Sequence, residues 1–243
     1  MWGSPYGARM LAMKGVTTCL DMAGPLEDIL DKVPEYGAGI NMAILQFASP
    51  PFTFKNDHPT KSEMEDLIDK SLDDGALGVK LLGGHYPLKP DVSSLLIKTA
   101  LERRAYVAWH AGTSEHGSNI EGMQEAVAMA DGYPLHLAHI NAYCRGAIKN
   151  ELEEVAIAID LLKKNPNIFC ESYISPKNGT RLTCDETGKI QSKVTGNCLR
   201  KFGFSEDRDG VKKAILAGKA FVVYDAGGYS DLMTGEEALK LWE

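Results

Sequence analysis

Short apolar runs alternate along the chain with longer amphipathic stretches. The runs recur about every 25–36 residues, the cadence of repeated βα units. Gly15–Leu20 (GVTTCL) is β-branched and ends at Asp21. Ile40–Phe47 (INMAILQF) follows a glycine-containing turn, and Leu77–Leu82 (LGVKLL) ends in Gly83-Gly84. Ala105–Trp109 stops at His110, Leu135–Ile140 at Asn141, Ile168–Cys170 at Glu171 and Ala220–Tyr224 at Asp225. Each run is apolar on both faces and closed by glycine or a polar residue, which is the pattern of a strand covered on both sides in a parallel sheet.

Helices are predicted between the runs. Pro25–Tyr36 opens on proline and places Leu26, Ile29, Leu30 and Val33 at three- and four-residue spacing. Thr60-Lys-Ser-Glu63 reads as a capping box ahead of Met64, Leu67, Ile68 and Leu72. Further helices are expected over Asp91–Arg104, Ile120–Asp131, Ile148–Lys164 and Asp207–Ala217. This order admits a TIM-type barrel or a doubly wound sheet. GxGxxG and GxxxxGK[ST] are both absent, which weakens the nucleotide-binding versions of the open sheet.

The polar residues at the strand ends favour the barrel. Lys80, His110, His139, Glu171 and Asp225 lie in, or at the C-terminal end of, different predicted strands. In a barrel those ends converge on one mouth, where barrel enzymes place their chemistry. Lys80 interrupts an apolar strand, and a lysine there is costly unless it is paired or modified. With its pKa depressed, it could form a Schiff base or a carbamate. Neutral imidazoles on successive strands, His110 and His139, suit zinc and similar ions. His136 is three residues before His139, so strand alternation sends it to the opposite face, under a helix.

Loop residues complete the candidate set. His85 follows the Lys80 strand, and His116 reads as an exposed loop residue. Arg145 could hold a substrate carboxylate in a bidentate pair, or could simply be a surface arginine. Asn141, Glu171, Tyr173 and Asn178 are placed to hydrogen-bond a polar substrate, although Asn178-Gly179 is equally a turn signal. GxSxG is absent.

Composition narrows the partners. The 243 residues include 26 Lys+Arg against 33 Asp+Glu, a net charge of −7. An acidic balance argues against nucleic acid and anionic membrane surfaces. No apolar run is long enough to cross a bilayer, and the first residues lack the pattern of a secretory leader. Cys19, Cys144, Cys170, Cys184 and Cys198 are scattered and odd in number, as expected of reduced cytoplasmic thiols. The expected protein is cytoplasmic and acts on a small molecule, with homo-oligomerisation left open.

With these residues in place, the chain resembles the amidohydrolase superfamily of metal-dependent hydrolases. Leu11–Cys19 looks like that superfamily's helix followed by its GVTT strand, the second of the barrel. Lys80 matches the fourth-strand lysine that is often carboxylated, and His110 and His139 match the fifth- and sixth-strand ligands. The densest match, Gly75–Gly146, is closest to the branch of D-aminoacylases, N-acyl-D-glutamate deacylases and dihydroorotase-like proteins. The resemblance implies a (β/α)8 barrel over 1–243, one or two divalent ions (zinc foremost), and hydrolysis of an amide C–N bond in an N-acyl amino acid. A cyclic amide is the alternative substrate. Two features depart from the pattern. No His-x-His pair occurs, and the GVTT strand lies too near Met1 to leave room for a preceding one. The expectation is a barrel fragment lacking its first strand, whose activity alone is open. Asp225 is either the catalytic eighth-strand aspartate or part of an insertion. A metal-free lyase using Lys80 as a Schiff-base amine is the competing reading.

Overall fold

In the computed structural model of the chain, residues 5–22, 24–50, 52–173, 182–226 and 229–242 are described. The chain divides into two compact units, Met1–Ile174 and Ser175–Glu243.

The first unit carries the repeated βα cadence. Its helices are α1 (Pro5–Met13), α2 (Leu26–Leu30), α3 (Val33–Tyr36), α4 (Lys61–Asp73), α5 (Pro90–Glu102), α6 (Ile120–Ala130) and α7 (Glu151–Lys164). Its strands are β1 (Thr18–Asp21), β2 (Asn41–Ala48), β3 (Gly78–Leu82), β4 (Tyr106–His110), β5 (Leu135–Leu137) and β6 (Ile168–Cys170). All six strands are parallel and form one curled sheet in the order β1-β2-β3-β4-β5-β6.

That order decides the architecture. A doubly wound sheet reverses direction partway, so its helices cover both faces. Here each strand joins the edge left by the one before. With right-handed crossovers, every helix then falls on the same side. The core agrees: Val79, Leu81, Val107, Trp109, Leu135, Leu137 and Ile168 from one sheet face pack with Met64, Ile68, Leu96, Ile97 and Met123 from the helices. The register sets Phe47, Lys80, Ala108, His136 and Phe169 in a row on the other, inner face. Leu82 pairs with His110, which puts His110 on the inner face as well, one step nearer the C-terminal edge.

Local chemistry explains the elements. Thr60 and Glu63 form the predicted capping box at the start of α4, and Asn119 and Asn150 cap α6 and α7. The helix expected over Pro25–Tyr36 is broken into α2 and α3, because Pro34 falls within the second turn-forming stretch. Gly78 lets β3 and β4 approach: a Cβ there would meet the Tyr106 carbonyl at 2.0 Å.

The second unit contains α8 (Lys193–Lys201), α9 (Arg208–Leu216), β7 (Val222–Ala226), β8 (Tyr229–Met233) and α10 (Gly235–Trp242). Its own small core gathers Ile190, Leu199, Val211, Ala214, Ile215 and Ala238. The last apolar run does form a strand, but β7 pairs antiparallel with β8. It does not extend the parallel sheet. The fold is thus an α/β half-barrel of six strands with a separate helical unit carrying a hairpin. An eight-stranded TIM-type closure is not seen among the described residues.

Candidate active site

The C-terminal edge of the inner face brings the histidines together. His110 ends β4 and is buried. The β5 strand stops at Leu137, so His139 is not in the strand, as its sequence run implied. It takes a left-handed backbone conformation (φ 41°) and opens a 3-10 turn over Ile140–Tyr143. That turn resets the alternation. His136 therefore shares the inner face with Lys80 instead of lying under a helix, which corrects the period-two expectation.

Tyr143 joins the two strand ends. Its fully buried hydroxyl accepts from the Ala111 amide at 2.8 Å and donates to the Ala138 carbonyl at 2.8 Å. This fixes the backbone next to both His110 and His139. The close packing here also needs Gly84, since a Cβ on it would lie 2.3 Å from His110 Nε2. The His85 ring follows in the same turn, 6.0 Å from the His110 ring centroid.

A continuous hydrogen-bond network runs through these groups. His110 Nδ1 lies 2.7 Å from His139 Nε2, and His110 Nε2 lies 2.7 Å from Ser118 Oγ. Glu171 Oε1 is 2.6 Å from the His139 amide and 3.2 Å from His139 Nδ1, while Oε2 meets His136 Nε2. His136 Nδ1 in turn is 2.7 Å from the Tyr106 hydroxyl. Burial alone would raise the Glu171 carboxyl. The hydrogen bonds from His136 and His139 outweigh it and hold the group well below the usual carboxylate range. An ionised Glu171 only accepts, so both imidazoles must donate to it. The remaining tautomers follow by elimination. His139 Nε2 is a lone pair and takes the proton of His110 Nδ1. Ser118 donates to His110, and Tyr106 to His136.

Lys80 is almost fully buried on the same face. Its Nζ lies 3.6 Å from Met22 Sδ. Burial lowers its ammonium to about 7, with the charge of Glu171 pulling the other way. His110 is held well below the ordinary imidazole range by burial first, then by His139 and Lys80.

A polar rim stands beside His139. Arg145 donates to the Tyr173 hydroxyl at 2.7 Å, and Asn141 Nδ2 to the Tyr173 carbonyl at 3.1 Å. Asn141 Oδ1 is buried without a hydrogen-bond partner among the described residues. The loop carrying Arg145 is held from behind by Glu154, a fully buried carboxylate accepting from the amides of Gly146, Ile148 and Lys149.

Of the residues singled out from the sequence, Lys80, His110, His139 and Glu171 meet on one face, with Asn141, Arg145 and Tyr173 grouped beside His139 and His85 beside His110. Asn178 lies outside the described residues. Asp225 is in β7 of the second unit, paired in register with Ser230. No motif marks Tyr106, Ser118, Tyr143 or Glu154. Only the parity of Tyr106, two residues before Ala108 on a strand ending in His110, hints at its face.

No protein-family model matches the chain, and neither does any curated protein. Solved structures are similar to it. One is a chain in the formyltransferase/hydrolase complex (FhcABCD) from Methylorubrum extorquens, in complex with methylofuran. It matches with a TM-score of 0.55 and 16% identity, over 96% of this chain and 46% of that one. A Xaa-Pro dipeptidase with bound methionine in the active site matches with a TM-score of 0.44 and 16% identity, over 65% of this chain and 43% of that one. The chain thus spans less than half the length of either.

These findings overturn the assignment to the amidohydrolase superfamily. At this identity the first neighbour shows a shared fold and no more, and no family model supports the match read from the motifs. The physical reason is plain. One lysine and two histidines at strand ends, in order, constrain little, because any singly wound parallel sheet carries its strand ends to one edge.

Proposed function

We propose that this chain builds the site of a hydrolase that opens the amide C–N bond of a small N-acyl compound, an N-acyl amino acid foremost, with zinc or a similar divalent ion held by His110 and His139. The observation that supports it most directly is the pair of facing imidazole nitrogens, Nδ1 of His110 and Nε2 of His139, 2.7 Å apart. Each ring is oriented by a hydrogen bond on its other nitrogen, to Ser118 and Glu171. Metal-binding histidines are habitually held in this way. Two ligands of one tetrahedral zinc stand roughly 3.3 Å apart when each bond is about 2.0–2.1 Å. The rings would have to part by about 0.6 Å, and His110 move its proton to the Ser118 side. A divalent ion there would polarise the acyl carbonyl and bring a water toward ionisation near neutral pH.

The other residues have distinct parts in this reading. Lys80, whose ammonium burial lowers to about 7, has a substantial share of free amine near neutral pH, the form that takes up carbon dioxide, and its carbamate would add a carboxylate to the donor set. Arg145 would pair with the substrate carboxylate, and the unmet Asn141 Oδ1 would accept from the amide N–H. His85 and Tyr173 would frame the acyl group.

The test is zinc analysis of the purified chain with assays on N-acyl amino acids and cyclic amides. Zinc uptake lost in His110→Ala, with hydrolysis of the open amides, is expected. A folded chain that takes up no zinc would sink the proposal. A second reading rests on the same buried Lys80 amine, whose lowered pKa also suits Schiff-base chemistry. Borohydride trapping of a carbonyl compound on Lys80 would select it.

A further inference from the structure

The network at the histidines has two arms, and the proposed chemistry uses only one. His110 and His139 reach Glu171 from the C-terminal edge of the sheet. Tyr106 and His136 reach it from the opposite direction, along the inner face. Tyr106 begins β4, and its ring, with His136, walls a cavity of about 320 Å³ that also touches Leu77, Leu101, Pro134 and Phe169. The second arm therefore spans the inner face from its N-terminal end to the mouth.

Its surroundings make the arm costly to keep by accident. His136 stands in a register row with Phe47, Lys80, Ala108 and Phe169. A histidine in so apolar a row needs both ring nitrogens satisfied, and both are. The phenol of Tyr106 is raised by burial and by Glu171, so it stays a donor. The polarity of the arm is also fixed: Tyr106 gives its proton to His136 Nδ1, and His136 Nε2–H gives to Glu171.

We propose that Tyr106 and His136 are positioning residues: they clamp Glu171 Oε2, so that Oε1 holds His139 in its Nδ1–H tautomer with Nε2 bared toward His110. The importance of that tautomer rests on the metal reading above, but its existence does not. Without the clamp the carboxylate can rotate, sharing its oxygens between the His139 amide and water, and the His139 ring loses its fixed partner.

The test uses the full chain labelled with 15N and free of metal. Long-range proton–nitrogen spectra report the tautomer of each imidazole. In the wild type, His139 should be protonated on Nδ1 and His136 on Nε2. In His136→Leu, His139 should become a mixture of tautomers, and zinc affinity should fall about 10–100-fold, the range for lost outer-shell partners. His136→Gln keeps an N–H able to reach Glu171 and should restore both. Tyr106→Phe, which removes one hydroxyl on a partly exposed ring, is the variant to use if His136→Leu does not fold. It should shift His136 and, through Glu171, His139 toward mixed tautomers and weaken zinc several-fold. An unchanged His139 tautomer in the His136 or Tyr106 variants overturns the inference. A wild type that binds no zinc yet shows the tautomer shift sinks the metal reading and leaves the clamp standing.

Discussion

At the scale of single residues, Lys80 carries a large electrostatic cost. Its folded pKa lies near 7, below the ordinary 10.5, because burial disfavours the charge. The unfolded chain therefore holds more protons than the folded one between about pH 7 and 10.5, and stability rises with pH across that window. The displacement corresponds to roughly 5 kcal/mol at most. Lys80→Met should stabilise the metal-free protein by about 1–3 kcal/mol at pH 6, and the gain should vanish toward pH 10. Denaturant titrations at the two pH values check this. A gain that grew with pH would mean that Lys80 is paired in the folded state. Gly84 makes a second residue-scale test. Its Cβ would force the His110 ring off Ser118 and His139. Gly84→Ala should cost at least tenfold in zinc affinity, measured calorimetrically, while circular dichroism stays that of the wild type. Lys80 and the two strand-end histidines were readable in the sequence because each breaks an apolar run. His136 was misread for a physical reason: alternation was carried through a residue that had already left the strand.

At the scale of elements, the site depends on two joints that no motif marks. Tyr143 ties the ends of β4 and β5, and Glu154 ties the loop ahead of α7. Glu154 is buried, which would raise its carboxyl, but the backbone amides it accepts from lower it on balance. Such an acid stabilises the fold above the unfolded carboxyl pKa and loses that contribution as the pH falls through its own folded value. Glu154→Gln turns an amide toward N–H donors and should cost about 1–3 kcal/mol at pH 7. The difference from wild type should narrow on acidification below the ordinary carboxyl range. Equal loss at every pH would assign the effect to packing. The strands and capped helices were legible from period and capping residues, usually to within a few positions. The joints were not, since a buried tyrosine and a glutamate in a helix look in sequence like a core aromatic and a solvated acid.

At the scale of the whole chain, the six-stranded sheet is open. Among the described residues β1 pairs only with β2, and β6 only with β5, so each edge strand presents unpaired backbone groups. Phe169 on β6 is 56% exposed. Concentration-dependent self-association is expected in sedimentation, reduced by Phe169→Lys. A single monomeric species across the range, unaffected by that change, would contradict it. The separate second unit was not foreseen from the sequence. Ala220–Tyr224 has the apolar composition of a buried parallel strand, and only the direction of its partner, β8, distinguishes a hairpin from another barrel stave.

The sheet's order has a further consequence in time. Space follows synthesis here: each strand leaves the ribosome to find its docking edge already laid down by the strand before. No strand has to wait for a later one to be inserted beside it, as it must where strand order reverses. The inner-face network closes only when Glu171 emerges. Chains arrested just before and just after that residue should differ little in protease resistance, yet sharply in the fixed tautomer of His139.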